Sequence, residues 1–319
     1  MTILGTLLAV VLTALATQVL SQSYPARPIR LIVPLAAGGA MDTVARAVSV
    51  KLTEQLGQMF VVDNRGGGGG SIGAELAASA PPDGYTLIMM SATSVIHPLM
   101  YKSRYDASRD FAPISQVTSQ PYVIVVNPKL PIQNVNELVA YAKANPNKLN
   151  YGSAGQGGLI HLATELFKNA TGTHMVHVPY KGIGAAYPDL IAGNIQVIFA
   201  SIISAQPHVR AQRIRALAVT GAKRAQSSPE LPTVAEAGVK GFVVTGWYGV
   251  FAPARTPRTI VERLHQEIIK LLQQPEVTAR FAADGAEPVG STPQQLDAHV
   301  RDERDRWSNV IKDAGIRGD

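Results

Sequence analysis

The sequence contains no cysteine. Disulfide bonds, thiolate metal ligands and cysteine nucleophiles are therefore excluded, and an oxidising compartment poses no hazard to folding. Aromatic residues make up 6% and charged residues 16% of the 319 residues, against 46% hydrophobic residues. This composition is typical of a globular chain with enough apolar residues for a large core. The length allows two α/β domains or one large domain.

Long runs of positive charge are also absent. The formal net charge is +6, but no run of lysine and arginine is longer than two residues. A nucleic-acid surface requires clustered cations, so no nucleic-acid partner is expected. A positive balance without clusters fits a soluble surface, and it also raises the local concentration of anionic solutes.

The N-terminal 23 residues carry no charged side chain. Their apolar part is near the minimum length of a membrane span, about 17 to 25 residues, so a retained anchor and a buried helix are alternatives. A cleaved signal peptide over residues 1–23 is favoured by three features. Small residues lie at Ala14 and Ala16, a plausible cleavage site lies at Ser21, and a domain starts immediately afterwards at Tyr24-Pro25. No Lys or Arg precedes the apolar segment. No later segment is long enough to span a bilayer, so the mature protein is predicted to be exported and soluble.

The rest of the chain alternates short apolar runs, glycine-rich turns and amphipathic segments. Strands are predicted at residues 29–33, 60–63 and 85–90, with helices at 41–56 and 71–80. The middle of the chain repeats this order, and the C-terminal third is predicted to be helical. This alternation indicates an α/β fold in which a mainly parallel sheet is covered by helices on both faces.

Two apolar segments have the length to connect two lobes. Residues 122–126 are predicted to cross out of the first lobe, and residues 245–250 to return to it. The predicted domains are therefore lobe I at residues 24–124 plus 246–319, and lobe II at residues 125–245. This order of elements is typical of a hinged, two-lobed binding protein.

The first candidate binding loop, residues 35–42, follows the first strand, at the end of a strand where open α/β sheets bind ligands. Gly38 and Gly39 allow backbone N–H groups to approach a ligand, and the positive end of the next helix favours an anion. The alternative is a turn that requires positive φ. Asp42 in the first helical turn either caps the helix or faces the ligand.

The second candidate loop, residues 150–158, again presents amides and the Ser153 hydroxyl at a helix start. Tyr151 stands where a nucleophile elbow needs glycine, so this is not a hydrolase motif. His161 and Glu165 lie one turn apart, but the His-Glu-x-x-His pattern is missing and no metal site is predicted. His161 caps the loop or lines the cleft.

A third loop, beginning at Ser91, offers small hydroxyls that bond a carboxylate or cap the next element. The glycines at 66–70 lack the Gly-Lys-Ser/Thr of a phosphate loop, so no nucleotide cofactor is predicted. The seven histidines are dispersed, and no base–nucleophile pair emerges. We therefore expect neither enzymatic activity nor a cofactor.

Taken in order, these segments resemble the substrate-binding proteins of the tripartite tricarboxylate transporter family (TctC, or Bug-type, extracytoplasmic receptors). The resemblance covers nearly all of residues 24–316. It is carried by residues 24–34 (YPARPIRLIVP), 38–42 (GGAMD), 64–73 (NRGGGGGSIG), 82–87 (PDGYTL), 110–114 (DFAPI), 151–153 (YGS), 178–182 (VPYKG), 232–238 (PTVAEAG) and 247–249 (WYG).

The resemblance implies a periplasmic-binding-protein (Venus-flytrap) fold, and capture of a small organic carboxylate for delivery to a membrane permease. It also implies that loops of both lobes hold the carboxylate, largely through backbone amides and water. The implied ligand-binding residues are Ala37, Gly38, Gly39, Asp42, Ser91, Ala92, Thr93, Ser153, Gly155, Gly157, Gly158, His161, Tyr180, Lys181 and Gly182.

Several positions depart from the family pattern. Ala37 stands where the family usually has Pro, Gly158 where Ser or Thr is usual, Gly184 where Pro is commoner, and Ala200 where Asp is frequent. The missing acid at 200 argues against a ligand with an ammonium group. A dicarboxylate or an aromatic carboxylate is therefore expected.

Two other functions remain open from the sequence. In the first, the same fold presents its closed form to a membrane signalling protein. In the second, the chain is an α/β hydrolase, and the substitution Ser153→Ala abolishes its turnover. A monomer is expected.

Overall fold

The computed structural model describes residues 24–313, so the predicted signal peptide lies outside the described residues. The N-terminal part contains β1 (Ile29–Val33), α1 (Ala40–Leu56), β2 (Phe60–Asn64), α2 (Ser71–Ala78), β3 (Thr86–Met90) and α3 (Ala92–Met100). The middle part contains β4 (Phe111–Val126), α4 (Val135–Ala144), β5 (Asn150–Ser153), α5 (Leu159–Thr171), β6 (Val176–Pro179), α6 (Tyr187–Ala192), β7 (Val197–Ser201), α7 (Ile202–Arg210) and β8 (Arg215–Val219). The C-terminal part contains β9 (Thr245–Pro253), α8 (Arg258–Leu272), α9 (Pro275–Ala283), β10 (Glu287–Pro288) and α10 (Pro293–Asp313). Short 3-10 turns lie at Gly68–Gly70 and Ile183–Ala185.

The strands form two sheet regions that share β4. In the first region the order is β2-β1-β3-β9-β4, and β10 also pairs with β4. In the second, the order is β4-β7-β5-β6, with β8 on the other side of β4. The β-α-β units are parallel, as predicted: β1 with β2 and β3, and β5 with β6 and β7. All the antiparallel pairs described involve β4 or β9.

The crossing between lobes is made by β4 and β9. In β4, Pro121 is the last residue that pairs with β9, opposite Thr245. The next residue, Tyr122, pairs with Ser201 of β7 in the second region. The strand therefore changes partners close to the predicted lobe boundary. The exact boundaries at 124 and 246 remain a prediction.

Three elements were missed or shortened in the sequence-based prediction. β4 starts at Phe111, whereas the prediction starts at 122, because Pro113, Pro121 and alternating polar residues hide the earlier part. Helices α3 and α7 were not predicted because each contains an internal proline, Pro98 and Pro207. Both follow their strand without a glycine-rich loop.

The C-terminal helices pack against elements of the N-terminal part of the chain and against β4. Helix α8 packs on β4 and α1, and α10 packs on α3 and β4. The buried Glu303 of α10 accepts hydrogen bonds from Trp247 Nε1 at 3.2 Å and Trp307 Nε1 at 3.1 Å. One carboxylate thus ties the last helix to the crossing strand β9. Within residues 24–313, no helix combines the length and apolarity needed to cross a bilayer.

Candidate functional site

The loops that follow the parallel strands of the two lobes meet face to face. The N–H of Leu159, at the start of α5, donates to Thr93 Oγ1 of the first lobe at 3.1 Å. The Ala36 N–H donates to the Lys181 carbonyl at 3.4 Å. A Cβ on Gly155 would lie 3.1 Å from Gly69 Cα across the cleft. The two lobes are therefore in contact, and glycine is needed where backbone meets backbone.

Between these loops lies an inner cavity. Its volume is about 30 Å³, room for one to a few waters, so a larger ligand enters only when the lobes separate. The lining residues are Leu35, Ala36, Gly39, Ala40, Met41, Asp42, Ser91, Thr93, Tyr122, Ala154, Gly158, Leu159, Ile160, Ile183, Ser201 and Tyr248.

Four helices begin at this cavity. Its lining includes the first or capping residues of α1, α3, α5 and α7. The first N–H groups of a helix have no intrahelical acceptor, and the N-terminus carries about half a positive charge. No Lys, Arg or His is among the lining residues, and Asp42 is the one charged side chain there. The cavity therefore favours an anion through backbone dipoles rather than through cationic side chains.

Asp42 organises the first loop. Its Oδ2 accepts the Gly38 N–H at 3.1 Å and Arg46 Nε at 3.0 Å. Burial raises the pKa of Asp42, but the bonds from Arg46, Gly38 and Asn64 outweigh burial and leave the pKa below its usual value. The carboxylate thus bonds a loop amide that precedes the helix rather than an N–H of the helix itself, and the choice between its two predicted roles remains open. Asp42 uses the Gly38 N–H, so the amides left for a ligand are those at the start of α1.

Ser153 supports the second loop from below. It is 0% exposed; its hydroxyl bonds the Gly155 carbonyl at 2.9 Å and accepts the Gly155 N–H at 3.2 Å. Ser153 Oγ also lies 2.6 Å from His177 Nε2, a pair that sequence reasoning missed. A nucleophile needs access to substrate, and this hydroxyl has none. Ser153 therefore supports the loop in this arrangement, and its assignment as a ligand contact remains a prediction.

His161 caps the same loop. Its Nδ1 accepts the Gly157 N–H at 3.1 Å. Its ring stacks on His177 with centroids 4.1 Å apart, and His177 stacks on Tyr151 at 4.9 Å. Burial, together with the charges of His161 and Lys168, lowers the pKa of His177 to about 3. The stack is thus held neutral at His177 and forms a rigid base under the glycine loop.

The structure separates the predicted site residues into three groups. The residues that line the inner cavity are Gly39, Asp42, Ser91, Thr93 and Gly158. The residues that line an adjoining outer cavity of about 460 Å³ are Gly155, Tyr180 and Lys181. The residues that line neither cavity are Ala37, Gly38, Ala92, Ser153, Gly157, His161 and Gly182.

Most of the third group shapes the loops. Gly157 and Gly182 have positive φ, at 69° and 151°. A Cβ on Gly157 would lie 2.4 Å from the Tyr101 ring, and one on Gly182 would lie 3.0 Å from Ala36 Cβ. These glycines allow close approach of the lobes. Their assignment as ligand contacts remains a prediction.

Sequence reasoning did not find the hinge side of the cavity. Three hydroxyl groups lie there: Tyr122 from within β4, Ser201 from the end of β7 and Tyr248 from β9. Tyr248 lay within the quoted WYG motif, which was the available signal. No signal in the sequence pointed to Ser201 and Tyr122, because only the pairing of β4 with β7 brings them together.

A cofactor or metal has no evident place in this site. Among residues 24–313, no group of three or more His, Cys, Asp or Glu side chains is arranged to hold a metal ion. The arrangement can bind an anion between two lobes. The fold and cavity therefore define a two-lobed solute-binding protein.

The family follows from sequence comparison. Residues 44–316 match the TctC model, described as the tripartite tricarboxylate transporter family receptor. The chain belongs to this family. Its members and structural neighbours are substrate-binding receptors rather than enzymes.

Relatives and solved structures agree with this assignment. Protein BugT of Bordetella pertussis is 38% identical over 306 residues, covering 95% of this chain and 94% of BugT. Rpa4515 of R. palustris, solved with adipate, is 39% identical with a TM-score of 0.90, covering 92% of this chain and 99% of its own. MatC (Rpa3494) from Rhodopseudomonas palustris, solved with malate, is 31% identical with a TM-score of 0.85, covering 90% and 100%.

Proposed function

We propose that this protein is a periplasmic receptor that captures a small organic carboxylate, a dicarboxylate or an aromatic carboxylate, between its two lobes. It then delivers the ligand to a tripartite tricarboxylate-type membrane permease. The observation that carries the proposal is the inner cavity, where four helix N-termini converge and no cationic side chain lines the wall. Such a cavity attracts an anion through amide donors.

The ligand class is supported by relatives. Rpa4515 was solved with adipate and MatC with malate. Both are carboxylates, and both proteins share the fold of this chain over at least 90% of its length. The composition of the cavity fits the same chemistry, because amides and hydroxyls bond carboxylate oxygens directly or through water.

Capture requires closure of the lobes. An open cleft leaves the anion in water, where each amide contributes little, whereas closure removes water and strengthens the same interactions. The contact of Leu159 N–H with Thr93 Oγ1 joins the lobes directly at the cavity wall. Export by a signal peptide over residues 1–23 would place the receptor where a permease can receive its ligand.

A thermal-shift screen of the mature protein tests the ligand class. Monocarboxylates, dicarboxylates, aromatic carboxylates, amino acids and neutral or cationic solutes are compared at equal concentration. A true ligand at 100 times its Kd stabilises the folded protein by about 2.7 kcal/mol, which raises Tm. A shift with a cationic or neutral solute, and none with any carboxylate, would refute the proposal.

A further inference from the structure

The hinge side of the inner cavity carries a buried hydroxyl without a partner. Ser201 is 3% exposed and lines the cavity, and its Oγ forms no hydrogen bond of normal geometry with the described residues. Buried polar groups nearly always have a hydrogen-bond partner. An unpaired hydroxyl that opens onto a binding cavity therefore points to a ligand atom.

Two tyrosines stand beside this hydroxyl. Tyr122 lies directly opposite Ser201 in the antiparallel pairing of β4 and β7, a relation that places Cβ atoms about 4.5 to 5.5 Å apart. Burial raises the pKa of Tyr248, and contacts of its phenol with Ser201 and Gln120 partly offset this effect. Burial also raises the pKa of Tyr122. Both phenols stay protonated and can donate hydrogen bonds.

The local field at this end favours an acceptor with negative charge. Ser201 is the N-cap of α7, and its side chain makes no capping bond. The positive end of that nine-residue helix thus coincides with the unpaired hydroxyl. The preceding residue is Ala200, which is fully buried and carries no charge. Asp42, the acid that lines the cavity, belongs to α1 and is bonded to Gly38 and Arg46.

The rest of the wall suits a hydrocarbon chain. Met41, Ile160 and Ile183 are apolar lining residues contributed by both lobes. Polar groups are thus present at the glycine loops and at the hinge, with apolar side chains elsewhere in the lining. A wall that contains amides, hydroxyls and apolar side chains accommodates a molecule that carries both polar groups and methylene groups.

We propose that the ligand is a linear dicarboxylate whose second carboxylate binds Ser201 at the start of α7, assisted by Tyr122 and Tyr248. The inference rests on the proposed function and specifies its ligand class. It makes Ser201 a specificity residue: one carboxylate is held at the glycine loops in any carboxylate ligand, but only a dicarboxylate reaches the hinge hydroxyls.

Calorimetric titration with two ligands of equal chain length, adipate and hexanoate, tests this inference. Ser201→Ala should weaken adipate binding about tenfold or more, because a hydrogen bond to a charged group is lost, and should change hexanoate binding less than about twofold. Tyr248→Phe should act in the same direction. Ser49→Ala is the matched control: Ser49 is equally buried at 3% and its Oγ is also unpaired, but it does not line the cavity.

The outcomes separate this inference from the proposed function. Equal loss of both ligands in Ser201→Ala would overturn it, as would wild-type binding of hexanoate as tight as that of adipate. Wild-type binding of benzoate alone would also overturn it, but would leave carboxylate capture standing. Failure of the wild-type protein to bind any carboxylate would overturn both.

Discussion

At the scale of single residues, the site depends on polar groups that are used inside the protein rather than offered to the ligand. Asp42 accepts a hydrogen bond from the Gly38 N–H, and Ser153 accepts one from the Gly155 N–H. Each therefore fixes a glycine loop in one conformation. Such preorganisation reduces the entropy lost on binding. It explains how Ser153, which lines neither cavity, can still affect affinity.

The buried His177 predicts a pH dependence of stability. Its pKa in the folded protein is about 3, below the ordinary value of about 6.5 that applies to the unfolded chain. Between these values the unfolded chain binds a proton that the folded protein does not, so the free energy of unfolding should fall as pH decreases from about 6.5 toward 3. Urea unfolding of the wild type from pH 7 to pH 5 measures this slope.

The variant His177→Phe isolates the contribution of this ring. It keeps an aromatic ring in the stack but binds no proton, so its stability should be lower at pH 7, with the gap to the wild type closing as pH decreases. His174→Asn is the control, because His174 is exposed and lies two residues before β6, and this variant should follow the wild type. Identical slopes for His177→Phe and the wild type would contradict the prediction. His97 and His208, whose pKa values are also lowered by burial, contribute equally to all three proteins.

At the scale of elements, the C-terminal helix α10 is fastened to β9 by one carboxylate. Glu303→Ala leaves the indole N–H groups of Trp247 and Trp307 without their acceptor. Each buried unsatisfied donor costs about 1 to 3 kcal/mol, so the loss of the acceptor of two donors should lower the free energy of unfolding by about 2 to 6 kcal/mol. Glu303→Gln keeps a carbonyl acceptor and should cost less.

Denaturant unfolding of both variants checks this expectation. Glu262→Ala serves as the control, since Glu262 is exposed and forms an ion pair with exposed Arg258 at 2.6 Å. Such a pair contributes about 0 to 1 kcal/mol. A loss in Glu303→Ala no larger than in the control would show that α10 is held by apolar packing alone.

At the scale of the whole molecule, binding depends on how closely the lobes approach. Gly184 lies in the second lobe, and a Cβ there would lie 3.0 Å from the Ala37 carbonyl oxygen of the first lobe. Gly184→Ala should therefore oppose closure and weaken ligand affinity several-fold. The Tm of the ligand-free protein should change little, because the added methyl group meets the opposite lobe rather than its own core.

Small-angle scattering with and without ligand tests this prediction together with calorimetric titration. The wild type should become more compact with ligand, and Gly184→Ala should do so only at higher ligand concentration. Unchanged affinity would mean that the Ala37 loop shifts to accommodate the methyl group. Closure would then not be limited at this contact.

The sequence predicted the regular parts of the fold well where pattern and propensity agree. The strands at 29–33 and 60–63 and helix 41–56 lie within about one residue of β1, β2 and α1. It failed at α3, α7 and the first half of β4, because prolines and polar residues there give no local signal, and tertiary packing overrides propensity.

What the sequence by itself determined is the family, the α/β class and the glycine loops, because these depend on local pattern and on motifs that are contiguous in the chain. The tertiary structure decided which predicted residues face the cavity and which support it. Ser153 is buried under its loop, where it bonds His177, 24 residues away in the sequence. Ser201 lies at the site because the pairing of β4 with β7 places it opposite Tyr122. Contacts between distant segments follow from strand order and lobe packing, which no local stretch of sequence encodes.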